Sequence, residues 1–188
     1  DAKMGYEACL QALEHSATAM GNVGAGTGAT VGKLCGMERA SKTGIGCYAM
    51  ALGELQVAAV VVVNALGDIF DPANGTKIAG LMNEDRTAFG DSCEELWKLG
   101  CPQNLFTGNT TIGAVITNGQ FNKAQMNKIA SMTRNAYARC INPVGTMADG
   151  DSIYAASIGD VKADINVTGT LAAHVMERAI VKAVESAR

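Results

Sequence analysis

Two threonines follow a short Gly-Asn step in Gly108-Asn109-Thr110-Thr111-Ile112-Gly113, directly ahead of an apolar run. Read alone, the pair is what β-propensity places at the opening of a strand. The same position also suits self-cleavage. If the peptide bond between Asn109 and Thr110 breaks, Thr110 becomes N-terminal, and its own α-amine can act as base for its hydroxyl. An α-amine titrates near 7.7–8.0 and a lysine near 10.4, so at pH 7 the α-amine offers about a few hundred times more free base. No histidine is then required. His15 and His174 lie far apart in helical patterns and read as structural or surface residues.

Other residues could serve such a nucleophile. Asp149-Gly150-Asp151 precedes the apolar stretch 152–159. It reads as a turn, or as two carboxylates that project to one side and could orient a hydroxyl or hold an ammonium group. Asn64 closes the run Val57–Val63, either as a turn residue or as an amide donor to an oxyanion. Lys33 stands at the exit of the glycine-rich segment GNVGAGTGATVG, residues 21–32. That segment fits a loose G-x-G-x-x-[GA], but a dinucleotide fingerprint needs a strand before it and an acidic residue about 20 positions on. Here a helix precedes, the stretch from Cys47 to Met50 holds no carboxylate, and Gly32-Lys33 is followed by Leu34, which defeats a P-loop. Two readings of the loop remain: a tight connection with close backbone approach, and a wall of an active site with Lys33 at its exit.

The elements that must position these residues follow from periodicity. Tyr6, Cys9, Leu10 and Leu13 form one face of a first helix. Two apolar stretches follow, 43–53 and 55–63, the second β-branched as expected of a strand covered on both faces. Residues 64–75 supply turn residues, and 76–107 read as a surface excursion or flexible loop. TTIGAVIT, residues 110–117, is a strand. A helix over 123–141 is capped by Asn122 and turns Met126, Ile129, Ala130, Tyr137 and Cys140 inward. A turn at 142–151, a strand at 152–159 and a helix at 168–187, with Leu171, Val175, Ala179 and Val184 inward, complete the chain. Strands covered by long helices indicate a layered α/β sandwich in a single domain, 1–188.

Composition narrows the partners. The chain has 188 residues, 18% of them charged, with a net charge of −3 and 22 glycines. The acidic balance argues against a nucleic-acid or anionic-membrane surface, so neither partner is expected. The longest apolar run, Val57–Val63, is far short of the ~20 residues that cross a bilayer. No signal peptide is visible, so a soluble, cytoplasmic protein is expected. The six cysteines (Cys9, Cys35, Cys47, Cys93, Cys101 and Cys140) contain no C-x-x-C pair, which gives no support to a metal site. They are expected to be free and buried. No cofactor is expected. The Asn-x-Thr triplets at Asn74, Asn109 and Asn166 read as chance matches to a glycosylation sequon.

The segments GNVGAGTGATVGK, VVVVNALGD, GNTTIGAVITN and NPVGTMADGDSIYA, in this order, resemble the self-processing L-aminopeptidase/D-esterase (DmpA-type) peptidase family. Its relatives include β-peptidyl aminopeptidases and nylon-oligomer endo-hydrolases. The resemblance implies an αββα four-layer sandwich of the DmpA/ornithine-acetyltransferase type, cut once between Asn109 and Thr110. It implies Thr110 as nucleophile, Asn64 as oxyanion donor, Lys33 beside the nucleophile, and Asp149 and Asp151 as the adjacent acidic pair. The Asn-Thr junction and the Asp-Gly-Asp pair are more similar to the nylon-hydrolase branch, which leaves exo- and endo-cleavage both open. Family members carry an upstream region with further strands and a tyrosine, so the sequence is expected to be the C-terminal part of a larger sandwich. The implied function is hydrolysis of small peptides, amino-acid amides or esters by a homo-oligomer such as a tetramer. The alternatives are an uncleaved, non-catalytic binding or assembly protein of the same fold, and an ornithine-acetyltransferase-like acyl transferase.

Overall fold

A computed structural model describes residues 1–14, 18–100 and 108–187. Helix α1 (Ala2–Leu13) starts at Asp1, whose side chain accepts from the Met4 N–H. None of its residues is buried, so the face formed by Tyr6, Leu10 and Leu13 is left exposed among the described residues. A short ribbon follows, β1 (Thr30–Val31) against β2 (Ser41–Lys42). Strands β3 (Ile45–Leu52) and β4 (Leu55–Val62) form a hairpin. Next come β5 (Asp68–Asp71), β6 (Thr76–Ala79), α2 (Ser92–Leu99) and β7 (Ile112–Gly119). The chain ends with α3 (Lys123–Thr133), α4 (Asn135–Cys140), β8 (Ile141–Asn142), β9 (Ser152–Val161) and α5 (Ile165–Glu185).

The main sheet has the order β3-β4-β7-β9. Its first two pairings are antiparallel and the last, β7 with β9, is parallel. A parallel pair needs a crossover, and α3 and α4 supply it. Asn122 caps α3 through a reciprocal pair with Gln125, as its position predicts. The helical stretch expected over 123–141 is broken at Arg134 into α3 and α4. Met126, Ile129, Tyr137 and Cys140 face inward and Ala130 is half-buried. Helix α5, capped by Asp164, lies on the same face of the sheet as α3. It approaches β3 so closely that a Cβ on Gly46 would sit 2.1 Å from the Ala179 carbonyl oxygen.

Only one face of the sheet is covered by described residues. Along β4, Leu55, Val57, Ala59 and Val61 are buried, while Val60 and Val62 are half-buried. This corrects the expectation of a strand buried on both faces. The other face carries Ile112, Ile116, Tyr154 and Ile158, the last 73% exposed. The stretch 64–100 holds more regular structure than its sequence suggests: it carries β5 and β6 of a second sheet, β6-β5-β8, and helix α2; the rest of the expected excursion, 101–107, lies outside the described residues. Buried Asp68 organises it. Its carboxylate accepts from Lys77 Nζ (2.7 Å), Leu81 N (2.7 Å), Ser92 N (3.0 Å) and Ser92 Oγ (2.7 Å). Such long-range pairing leaves no local periodicity to read. Cys9, Cys35, Cys47, Cys93 and Cys140 are free thiols, but only Cys140 is buried, contrary to expectation. His174 is exposed on α5; Cys101 and His15 lie outside the described residues.

Candidate active site

Strand direction brings the candidate residues to one edge. Val62 at the end of β4 pairs with Ile112 at the start of β7, and Ile112 pairs with Ser152 at the start of β9. Antiparallel and then parallel pairing therefore places the residues just after β4, before β7 and before β9 at the same end of the sheet. These are Asn64, Thr110 and the pair Asp149 and Asp151. Lys33 reaches them from the loop after β1. Gly32 makes that approach possible: its φ is +68°, and a Cβ there would lie 2.0 Å from Leu81 N. The reading of the glycine-rich segment as a tight connection holds, and that close backbone packing sets Lys33 against Asn64.

Asn64 is the hub. Its backbone oxygen accepts from Thr110 N at 2.7 Å. Its side-chain Oδ1 accepts from Lys33 Nζ at 2.7 Å and from Thr30 N at 3.3 Å, and its Nδ2 donates to Gly108 O at 2.8 Å. In the intact chain Asn64 clamps the peptide on either side of Asn109. Its amide therefore meets the carbonyl of Gly108. The Asn109 carbonyl meets two other donors among the described residues. Thr110 Oγ1 donates to it at 2.6 Å and Gly150 N at 2.9 Å.

The two aspartates serve different segments rather than one. Asp149 Oδ2 accepts from Thr146 Oγ1 (2.7 Å) and Thr146 N (3.0 Å), and its Oδ1 accepts from Leu66 N at 3.4 Å. Asp151 Oδ1 accepts from Thr111 N at 2.8 Å. Neither holds the Thr110 hydroxyl or nitrogen directly among the described residues. The reason is that the Thr110 nitrogen is still a neutral amide, whose single hydrogen goes to Asn64. Tyr137 lies beneath them, its hydroxyl 3.5 Å from Thr111 O and 3.4 Å from Ser152 O.

Burial shapes the charges. Lys33 is 4% exposed. Loss of hydration lowers its ammonium from 10.5 to about 8, against the charge of Asp149, which raises it. Burial likewise pushes the Asp151 carboxyl up, the Thr111 N–H opposes this, and the Asp149 charge adds to it. The site thus holds a lysine lowered to about 8 on the same asparagine that accepts from Thr110 N, and a hydroxyl lying against a carbonyl, chemistry suited to acyl transfer. Sequence reasoning reached Lys33, Asn64, Asn109, Thr110, Asp149 and Asp151, and the structure brings all six together. It missed Thr146, which fixes Asp149, and the Gly150 amide; a backbone N–H has no residue type to give it away.

The profile of peptidase family S58 matches residues 2–188. The chain belongs to that family. It is 34% identical over 172 residues to an uncharacterized aminopeptidase of Mycobacterium leprae (strain TN), covering 86% of this chain and 45% of that protein. It is 30% identical over 179 residues to a 6-aminohexanoate-oligomer endohydrolase of Agromyces sp. (strain KY5R), covering 87% of this chain and 50% of the relative. The chain spans about half the length of these curated relatives. Among solved structures it resembles the L-aminopeptidase D-Ala-esterase/amidase of Ochrobactrum anthropi, described as a variant of the Ntn-hydrolase fold. The TM-score is 0.62 at 17% identity, over 91% of this chain and 46% of that one. The Burkholderia sp. β-aminopeptidase superposes with a TM-score of 0.56 at 19% identity, over 90% of this chain and 47% of that one. The S58 chain thus has this α/β sandwich fold, and its main sheet with α3 and α5 corresponds to one β and one α layer of an αββα arrangement. Among the described residues no helix is long and apolar enough to cross a membrane.

Proposed function

We propose that this S58 chain forms part of a self-processing N-terminal-nucleophile hydrolase of amide bonds, with Thr110 as its nucleophile. The observation that carries the reading is the Thr110 hydroxyl, 2.6 Å from the Asn109 carbonyl oxygen, at the sheet edge where Lys33, Asn64, Asp149 and Asp151 meet. A cut between Asn109 and Thr110 frees an α-amine that titrates near 7.7–8.0 and serves as base for the hydroxyl. Attack on a substrate carbonyl then yields an acyl-enzyme that water releases. Departure of the new chain end at Asn109 then frees Asn64 Nδ2 from Gly108 O, so that it can face the substrate oxyanion. Asp151 holds the backbone that follows Thr110, and Asp149 sets the electrostatic balance of Lys33. The substrates proposed are small peptides, amino-acid amides or esters, a class supported by the aminopeptidase, esterase and amide-hydrolase activities of the relatives.

Intact-mass measurement of the full chain on incubation tests this. Fragments ending at Asn109 and beginning at Thr110 are expected, and Thr110→Ala abolishes both the cut and hydrolysis. A single uncut species after prolonged incubation would instead favour a non-catalytic protein of the same fold. Amino-acid p-nitroanilides, β-peptides and 6-aminohexanoate oligomers, assayed side by side, separate exo- from endo-cleavage.

A further inference from the structure

We infer that the backbone N–H of Gly150 is the oxyanion donor for the self-cleavage step, and that residue 150 is glycine to leave room for the attacking hydroxyl. This rests on the reading of Thr110 as nucleophile. The Asn109 carbonyl accepts from Gly150 N at 2.9 Å. Its other partner, the Thr110 hydroxyl at 2.6 Å, loses its proton during attack and cannot stabilise the charge that develops. Asn64 is not placed for this step either, because its Nδ2 donates to Gly108 O at 2.8 Å. The Gly150 amide already lies on the reacting oxygen and keeps its proton through the step.

The need for glycine is one of space. The φ of Gly150 lies outside the left-handed region that favours glycine. A Cβ at this position would nevertheless lie 2.7 Å from Thr110 Oγ1, with its next contacts at 3.8 Å. Any other side chain would displace the hydroxyl from the carbonyl it attacks.

In the step itself, Thr110 Oγ1 adds to the Asn109 carbonyl carbon. The C=O electron pair moves onto Asn109 O, against the Gly150 N–H. The hydroxyl proton is transferred to the Thr110 nitrogen, and the C–N bond breaks with its pair on that nitrogen. The product is an ester between Asn109 and Thr110 Oγ1. Solvent water hydrolyses the ester to the Asn109 carboxylate, leaving Thr110 with a free hydroxyl and amine. Charge develops on the oxygen that Gly150 already holds, and a hydrogen bond to an ionised acceptor is stronger than one to a neutral carbonyl.

Two variants of the full chain test the inference, each followed by timed intact mass. Glycolic acid in place of Gly150, introduced by nonsense suppression, exchanges the N–H for an ester oxygen and adds no side chain. Self-cleavage is expected to slow by about 100-fold. Gly150→Ala keeps the amide but crowds the hydroxyl, and is also expected to slow the cut by about 100-fold. Hydroxylamine, which releases an accumulated ester, should rescue neither variant, because the block precedes the ester. A wild-type cleavage rate in either variant, or rescue by hydroxylamine, would overturn the inference while leaving Thr110 in place. Cleavage of Thr110→Ala at the same bond would instead overturn the reading of Thr110 on which it rests.

Discussion

The buried lysine offers the sharpest test of the site's electrostatics. Lys33 holds its ammonium against Asn64 Oδ1 with 4% of the residue exposed. Lost hydration moves it from 10.5 to about 8. At about 1.4 kcal/mol per unit, that shift bounds the effect on stability at about 3 kcal/mol. Screening by solvent at the open side of the site reduces this to about 2 kcal/mol. The sign follows from proton binding. Below about pH 8 the amine is charged in both states and the cost of burying it is fully present. Between about 8 and 10.5 the native state has lost the proton and the unfolded state keeps it, so stability rises with pH. Lys33→Met removes the titrating group while keeping an unbranched side chain. Urea unfolding of both forms, in the uncleaved Thr110→Ala background, is measured from about pH 7 to about pH 11. The parent is expected to gain about 2 kcal/mol more than Lys33→Met across that interval. Comparing the two profiles cancels the other tyrosines, cysteines and lysines. Profiles parallel within about 0.5 kcal/mol would refute the assignment of a depressed lysine at the site.

Other expectations concern the neighbours. Asn64→Ala loses all three side-chain bonds while keeping the backbone bond to Thr110 N, and substrate turnover should fall by about 100- to 1000-fold as an oxyanion donor is lost; unchanged turnover in a p-nitroanilide assay would exclude that role. Asp151→Asn removes a carboxyl that burial and the Asp149 charge hold above its usual range. The native state keeps that proton after the unfolded state has lost it, so the parent loses stability relative to the variant as pH rises from acid to neutral. Thermal melts at acid and neutral pH should show the difference moving in the variant's favour, and a constant difference would count against it. Asp68→Ala strands the buried Leu81 and Ser92 donors and takes the carboxylate partner from half-buried Lys77, and should cost about 3–5 kcal/mol in urea unfolding; a loss below about 1 kcal/mol would mean that this carboxylate does not organise residues 68–92.

The legible part of the fold was the locally periodic part. Asn122 and the spacing of Met126, Ile129 and Tyr137 mark α3 and α4, and the spacing of Val175, Ala179 and Val184 marks α5, because a helix face is written in residues three and four apart. Strands β5 and β6 escaped notice because four-residue strands carry little alternation, and they are held by Asp68, whose partners lie as far off as Ser92. The spacing of Tyr6, Leu10 and Leu13 does mark a helix, but amphipathicity reports a preference for burial, and only the tertiary structure reports what is there to meet it.

The site divides the same way. Residue types alone identified a hydroxyl that could become N-terminal, two carboxylates, an amide and a lysine, since those groups are the chemistry. Their convergence depended on strand direction: β4 ends where β7 and β9 begin, and that edge gathers residues spread from Lys33 to Asp151. Three-dimensional placement also determined which carbonyl Asn64 holds, which way each aspartate turns, and that Gly150 presents its N–H to Asn109. A hydrogen bond depends on a few tenths of an ångström and on the orientation of a donor, and backbone amides are the same in every residue. The sequence by itself therefore determined what chemistry was available, and the packing of the chain decided which atoms perform it.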